Sequence, residues 1–240
     1  MSYNRILVVS DNHFLVSSFK NVIKDLSINE DRFTFACTSP KLEWPAENLR
    51  CINVKKDYER IGRDFDLVFS LHCKQIFPIA LVNTVKCINI HPGLNPYNRG
   101  WYPQVFSILN KLPIGATIHE MDDKIDHGKV IVQKEVRIDP WDTSLDVYNK
   151  VLTAEIELLK EHLPYILENN YTAFPMAQEG NYNSVEDFRN LLEIDPESTV
   201  VVSQFIDRLR ALTHGTFDNA FYFDRATGKK IFINIKLKPE

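Results

Sequence analysis

Short, nearly unbroken apolar runs constrain this chain more than any other feature. Residues 5–10 (RILVVS), 66–71 (DLVFSL) and 86–91 (KCINIH) are rich in apolar and β-branched side chains and alternate little with polar ones. That pattern belongs to strands buried on both faces, as in a parallel sheet covered by helices. After the first run, Asn12 is placed to cap a helix reaching about residue 27, with Phe14, Leu15, Phe19, Val22, Ile23 and Leu26 on one side. Residues 32–37 and 50–54 read as further strands. Pro78 opens a short helix through residue 81, and 102–112 reads as helical. Residues 115–121 and 130–138 alternate like partly exposed strands. In 143–168, Leu145, Tyr148, Leu152, Ile156, Leu159, Leu163 and Ile166 recur at helical spacing, a stripe that reads as packing. Strands alternating with helices, then two adjacent strands, predict an α/β, Rossmann-like, mostly parallel sheet with an antiparallel edge.

The character changes after Pro175. Helices are expected at 185–192 and 200–213, then strands at 220–223 and 230–237 around the turn-rich DRATGK tip, a β-hairpin signal. A length of 240 residues suits one main domain, 1–178, with a small C-terminal annex, 179–240, ending in that hairpin.

Composition excludes several function classes. Lys and Arg total 28 against 32 Asp and Glu, a net charge of −4, which argues against a nucleic-acid binder while leaving room for a local basic pocket. No apolar run is long enough to span a bilayer. Residues 1–5 (MSYNR) lead straight into the first strand with no secretory signal pattern, so a cytoplasmic protein without membrane attachment is expected. Cys37, Cys51, Cys73 and Cys87 form no CxxC pair and sit in or beside apolar stretches, which predicts buried free thiols, with zinc ligation as a weaker rival. The first strand–helix turn (SDNHFL) lacks the glycines that let a backbone approach pyrophosphate, and no P-loop is present.

Two stretches carry chemistry. In 89–103 (NIHPGLNPYNRGWYP), Asn89 and His91 lie two apart at the end of a strand, so they face one side. Pro92, Gly93 and Pro96 then force a loop, at the strand end where open α/β sheets bind ligands. In 115–130 (GATIHEMDDKIDHGKV), acidic and polar residues gather between two strands, and Gly128 suits a left-handed turn directly after Asp126 and His127.

Together these stretches resemble the folate-dependent formyltransferases: Asn-x-His, a Pro and Arg-Gly loop, then Asp-x-Gly after a Thr-x-His strand. The resemblance covers roughly residues 1–140. The short length, the SDNHFL opening, the HPG-x-NP-Y-x-RG loop and the C-terminal hairpin are most similar to the sugar-nucleotide N-formyltransferases, particularly those acting on dTDP-4-amino-4,6-dideoxyglucose. The resemblance implies that Asn89, His91 and Asp126 are catalytic, and that a formyl group passes from N10-formyltetrahydrofolate to a sugar amine through a tetrahedral intermediate without a metal. The chemistry suits the residues: an imidazole as general base, an amide N–H for an oxyanion, a carboxylate to orient the imidazole. It places folate near Gln75, Ile76 and Phe77 and near Asp122, Asp123, Lys124 and Ile125. It suggests Asn12, Lys74, Tyr97, Arg99 and Tyr222 as contacts for a dTDP-linked amino sugar, with Phe221 and Tyr222 facing a thymine or simply filling the hairpin. A homodimer and a role in O-antigen or lipopolysaccharide sugar synthesis are further implications.

Other readings share these residues. A formyltetrahydrofolate hydrolase would use the same three with water as acceptor, and a transferase for another nucleotide-linked amino sugar would look alike. A non-catalytic sugar-nucleotide-binding protein is the alternative from a different class. A methionyl-tRNA formyltransferase would carry a larger, basic C-terminal domain. His72, His119 and His127 with His91 and Asp126 could be drawn as a zinc site, but their spacing matches no compact metal motif; His119 reads as support for the loop.

Overall fold

Each buried run becomes a strand because its backbone finds partners on both sides. The computed structural model describes residues 2–39 and 49–240. In chain order the elements are β1 (Ile6–Ser10), α1 (His13–Asp25), β2 (Phe33–Cys37), β3 (Arg50–Cys51), α2 (Tyr58–Asp64), β4 (Leu67–Leu71), α3 (Ile79–Thr84), β5 (Lys86–His91), β6 (Arg99–Gly100), α4 (Pro103–Asn110), β7 (Ile114–Glu120), β8 (Val130–Val136), α5 (Ser144–Leu167), β9 (Tyr182–Asn183), α6 (Val185–Arg189), α7 (Val202–Leu212), β10 (Ala220–Phe223) and β11 (Lys230–Ile233). Seven strands form one sheet in the order β3-β2-β1-β4-β5-β7-β8. Strands β3 to β5 pair in parallel, whereas β7 and β8 each pair antiparallel. The predicted α/β sheet with an antiparallel edge is therefore the observed one.

Helices cover both faces. Phe19, Val22 and Ile23 of α1 and Leu152, Leu158, Leu159 and Leu163 of α5 pack with Ile6, Val8, Phe69, Ile88 and Ile90. On the opposite face, Ile61 of α2 and Leu81 of α3 meet Leu7, Val9 and Val68. Burying one such side chain contributes roughly 1.5–3 kcal/mol, so each face is held by many small, similar increments. Asn12 caps α1 as expected, accepting from the Leu15 N–H, and Thr143 with Asp146 closes a capping box on α5.

Two expectations need correcting, and one helix was not foreseen. Cys51 is exposed rather than buried, because β3 is the edge strand of the sheet. Strand β7 is not partly exposed: Ile114 through His119 are all buried, because residues of α5 pack with Ile114, Ala116 and Ile118 and its polar side chains are internally satisfied. Thr117 Oγ1, for example, donates to the Gly93 carbonyl at 2.7 Å and accepts from the Asn95 N–H at 3.1 Å. Helix α2 was not legible, since Tyr58, Ile61 and Phe65 offer less than two turns of apolar spacing.

A third core joins the C-terminal elements to the main sheet's helices. Leu209, Ala211 and Leu212 of α7, Ala220 of β10 and Ile194 pack with Val105 and Ile108 of α4 and Val147 and Val151 of α5. The intervening segment runs back over the 95–100 loop, where Arg99 pairs with Tyr182 and Gly100 with Asn183. Residues 220–223 and 230–233 form the expected hairpin.

Strand order reverses between β1 and β4, the place where an open α/β sheet forms a crevice. Asp11, nearly fully buried, ties that crevice together by accepting the N–H groups of Thr38 at 2.8 Å, Ser39 at 3.1 Å and Lys74 at 2.9 Å. No helix among the described residues is long and apolar enough to cross a membrane.

Candidate active site

Strand pairing assembles the site. Asn89 of β5 lies directly opposite His119 of β7, and His91 opposite Thr117. Directly opposed residues share a face, so Asn89, His91 and His119 stand together at the carboxyl end of β5. They line a cavity of about 670 Å³. The 121–126 loop brings Asp126 onto them, with φ of 48°. This left-handed conformation is tolerated by aspartate better than by most residues. It is held by Asn95 Nδ2 donating to the Asp126 carbonyl at 2.9 Å. The left-handed turn is thus at Asp126 itself and not at Gly128. Gly128 is needed for a different reason: a Cβ there would lie 1.9 Å from the Glu120 carbonyl oxygen.

Asp126 is the hub. Its Oδ1 accepts from Asn89 Nδ2 at 2.9 Å, and its Oδ2 accepts from the Gly100 N–H at 3.1 Å and faces His91 Nδ1 at 3.5 Å. His119 donates Nδ1–H to the Glu120 carbonyl at 2.7 Å, leaving Nε2 3.3 Å from Asn89 Nδ2 and 3.7 Å from Asp126 Oδ1. Burial alone would raise the Asp126 carboxyl, but His91, His119 and the Gly100 N–H outweigh it and hold it at about 2. Burial pushes His91 down to about 4, against the pull of Asp126. At neutral pH the pair is a carboxylate beside a neutral imidazole. With its proton on Nδ1, toward Asp126, His91 keeps a lone pair on Nε2. That Nε2 is buried and has no hydrogen-bond partner among the described residues. A Cβ on Gly93 would lie 2.3 Å from it, so only glycine leaves the ring in place.

An unpaired basic nitrogen, backed by a carboxylate and opening on a cavity, can accept a proton from a nucleophile. The adjacent amide can hydrogen-bond a developing negative oxygen. These are the three residues the sequence singled out. His119 does more than support the loop, since it touches both Asn89 and Asp126.

The remaining expected contacts divide. Lys74, Gln75, Ile76, Phe77, Asp122, Asp123, Lys124 and Ile125 all line the cavity, on its α2–α3 side. The Gln75 side chain is used internally, its Oε1 accepting the Val54 N–H at 2.9 Å. Asn12, Tyr97, Arg99 and Tyr222 lie outside the lining. Asn12 is spent on the helix cap and on the Tyr148 hydroxyl, to which it donates at 3.0 Å. The Tyr97 hydroxyl meets Gln178 Nε2 at 3.4 Å. Arg99 is buried, donating to the Ile125 carbonyl at 3.3 Å and pairing with Glu179 at 3.1 Å. Tyr222 packs in the third core, and Phe221 lies under Lys230, whose Nζ is 3.5 Å from the ring centroid.

The opposite wall was not foreseen. His72, Ser144, Tyr148, Phe188, His214 and Phe217 line it. Tyr148 belongs to the α5 stripe that reads as packing and does pack against the sheet's core, yet its ring also lines the cavity. His72, drawn above only into a zinc site, was the available signal, since it directly follows the carboxyl end of β4.

Known proteins resemble this chain in sequence and in fold. The formyl transferase family profile matches residues 17–163, and an N-formyltransferase dimerization C-terminal domain matches 187–239. A Mycobacterium tuberculosis protein named dTDP-4-amino-4,6-dideoxyglucose formyltransferase is 48% identical over 191 residues, 80% of this chain and 81% of the relative. The crystal structure of a 4-N formyltransferase from Francisella tularensis superposes with a TM-score of 0.91 at 44% identity, covering 99% of each chain. An N-formyltransferase from Helicobacter canadensis, in complex with folinic acid and dTDP-3-aminofucose, shares the fold at a TM-score of 0.70 and 22% identity, over 86% of this chain and 80% of that one.

Proposed function

The chain belongs to the formyl transferase family, and we propose that it transfers a formyl group from N10-formyltetrahydrofolate to the 4-amine of a dTDP-linked 4-amino-4,6-dideoxy sugar, in the synthesis of surface-polysaccharide sugars. The observation that carries this reading is the buried, unpartnered Nε2 of His91, a residue that lines the cavity. The named relative and the Francisella structure supply the amine position and the sugar class. The 73–77 and 121–126 loops suit the folate, because they give the cavity an apolar rim at Ile76 and Phe77 beside backbone groups and carboxylates. When bound there, the folate supplies the formyl carbon that the amine attacks.

The chain's own residues do the rest. His91 Nε2 takes the proton that the amine loses, and Asp126 holds the ring and stabilises its charged form. Asn89 turns the hydrogen of its longer contact, toward His119, to the formyl oxygen as charge develops. Lys74, at the rim, suits the diphosphate. Exposed Val202, Ile206, Phe223 and Phe232 give the C-terminal elements an apolar surface fit for a second copy, consistent with the dimerization-domain match. The proposed setting is the cytoplasm.

The test is a panel: dTDP-linked 3-amino and 4-amino dideoxy sugars and UDP-linked 4-amino sugars, each assayed with the folate donor. A dTDP-4-amino sugar is expected to exceed the others in kcat/KM; a UDP or 3-amino preference refutes the sugar assignment.

Two further results are expected. An NMR titration of labelled His91 should find it neutral, with the proton on Nδ1, down to about pH 4. Because its folded value is depressed, its contribution to stability is complete above the unfolded value of roughly 6.5 and falls as pH drops toward the folded one. Titration near the free-imidazole value would refute this electrostatic picture. Gly93→Ala forces a methyl group against Nε2. Displacing the ring should lower kcat about 100-fold with the circular dichroism spectrum unchanged; wild-type kcat would show that the ring position does not matter.

A further inference from the structure

Opposite the folate-facing loops, three rings stand in a row along the cavity wall. His72 and Tyr148 have centroids 6.0 Å apart, and Tyr148 and His214 are 5.5 Å apart in an edge-to-face arrangement. All three line the cavity. The row starts at His72, one residue past the end of β4, whose Leu71 pairs with Ile90 beside His91 on β5.

Each ring is locked from behind. His72 Nε2 lies 2.9 and 3.1 Å from the two carboxylate oxygens of Glu155, which is 1% exposed. Tyr148 accepts from Asn12 Nδ2 at 3.0 Å, and its hydroxyl lies 3.3 Å from His72 Nδ1. Ser144 Oγ is 3.1 Å from His214 Nδ1. A buried carboxylate is costly to keep in an apolar core unless its partner satisfies it. Among the described residues its hydrogen-bond partner is a cavity-lining histidine, itself in a left-handed backbone conformation that non-glycine residues seldom adopt. Burial also keeps the Tyr148 phenol at about 12 and lowers His214, so both stay uncharged at neutral pH.

The wall is thus rigid, ring-faced and nearly saturated in its own hydrogen bonds. Such a surface offers ring faces to C–H groups and few free polar atoms to hydroxyls. A deoxy sugar presents C–H and methyl groups where an ordinary hexose presents hydroxyls, and a hydroxyl pressed on this wall would lose its water without a new partner.

Resting on the formyl-transfer reading, we propose that His72, Tyr148 and His214 form the acceptor-binding wall that selects a 6-deoxy sugar over its 6-hydroxy counterpart, with Glu155 as the positioning residue that holds it.

The experiment compares dTDP-4-amino-4,6-dideoxyglucose with the dTDP-linked 4-amino sugar that keeps its 6-hydroxyl, in wild type, Tyr148→Ala, Tyr148→Phe and His214→Ala. Formylation of the 6-deoxy acceptor by wild type establishes the reading; no formylation of either sugar overturns the reading and the proposal together. Given formylation, wild type should prefer the 6-deoxy acceptor in kcat/KM by at least about tenfold, the usual scale for one methyl-sized difference. Tyr148→Ala should bring that ratio near unity and raise the acceptor KM, while the folate KM stays within about twofold. Tyr148→Phe, which keeps the ring, should retain most of the preference. His214→Ala gives an independent reading should Tyr148→Ala fail to fold. An unchanged ratio in folded variants, or a folate KM rising in step with the acceptor KM, overturns the proposal.

Discussion

His91→Asn should abolish detectable formyl transfer, a loss of at least about 1,000-fold in kcat, because it removes the general base. An asparagine at 91 can still fill much of the space beside Gly93 and hydrogen-bond Asp126, so the loop stays in place. What disappears is the basic lone pair, which no other described group supplies at that point of the cavity. His119 cannot replace it: its Nδ1 is engaged by the Glu120 carbonyl and its Nε2 faces Asn89 and Asp126. Binding of the nucleotide sugar should stay within about tenfold, or about 1.4 kcal/mol, since the ring wall and Lys74 are untouched. Turnover above one-tenth of wild type would show that His91 is not the base. Binding lost together with turnover would make its role structural.

Asp126→Asn should lower kcat by at least about 100-fold and by up to about 10,000-fold, the latter being the loss when the orienting carboxylate of a Ser-His-Asp triad is replaced by an amide. The cause is the tautomer. Asp126 Oδ2 accepts from Gly100 N–H and faces Nδ1 of His91, which keeps the imidazole proton on that side. An amide nitrogen turned toward Nδ1 would favour the proton on Nε2 and take the lone pair away from the amine. The loss of the carboxylate also removes the charge that pulls His91 upward against burial. The variant therefore leaves a neutral imidazole in the wrong tautomer and an imidazolium that is harder to form. Steady-state kinetics with a parallel NMR measurement of the His91 tautomer checks both. A kcat within tenfold of wild type would place Asp126 outside the mechanism.

The legible part of this protein is the part governed by short-range pattern. Strands β1, β4 and β5 announce themselves because burial on both faces demands continuous apolar residues. Asn89 and His91 are readable because a strand fixes the direction of residues two apart. Asp126 needed its motif, since nothing in composition shows that its backbone turns left-handed to meet them. The loops flanking the cavity were legible by position, and all the residues expected there line it. The acceptor side was less so. Tyr148 satisfies the helical spacing of a packing stripe, and only its contacts with Asn12 and His72, both distant in sequence, reveal it as part of a cavity wall. Glu155 is hidden in the same helix, its meaning set by a histidine 83 positions away. Arg99 and Tyr97 sit in a loop that does approach the site, but Arg99 is held by Glu179 and the Ile125 carbonyl and does not line the cavity. Pairings between distant segments decide such cases, and a single sequence does not display them.

The most direct test of the account is one incubation of the wild-type protein with N10-formyltetrahydrofolate and dTDP-4-amino-4,6-dideoxyglucose, followed by mass spectrometry of the sugar nucleotide and assay of free formate. The account predicts a sugar nucleotide carrying one added formyl group, formed in step with tetrahydrofolate and dependent on His91. Free formate beside an unchanged sugar nucleotide would contradict it and make water the acceptor.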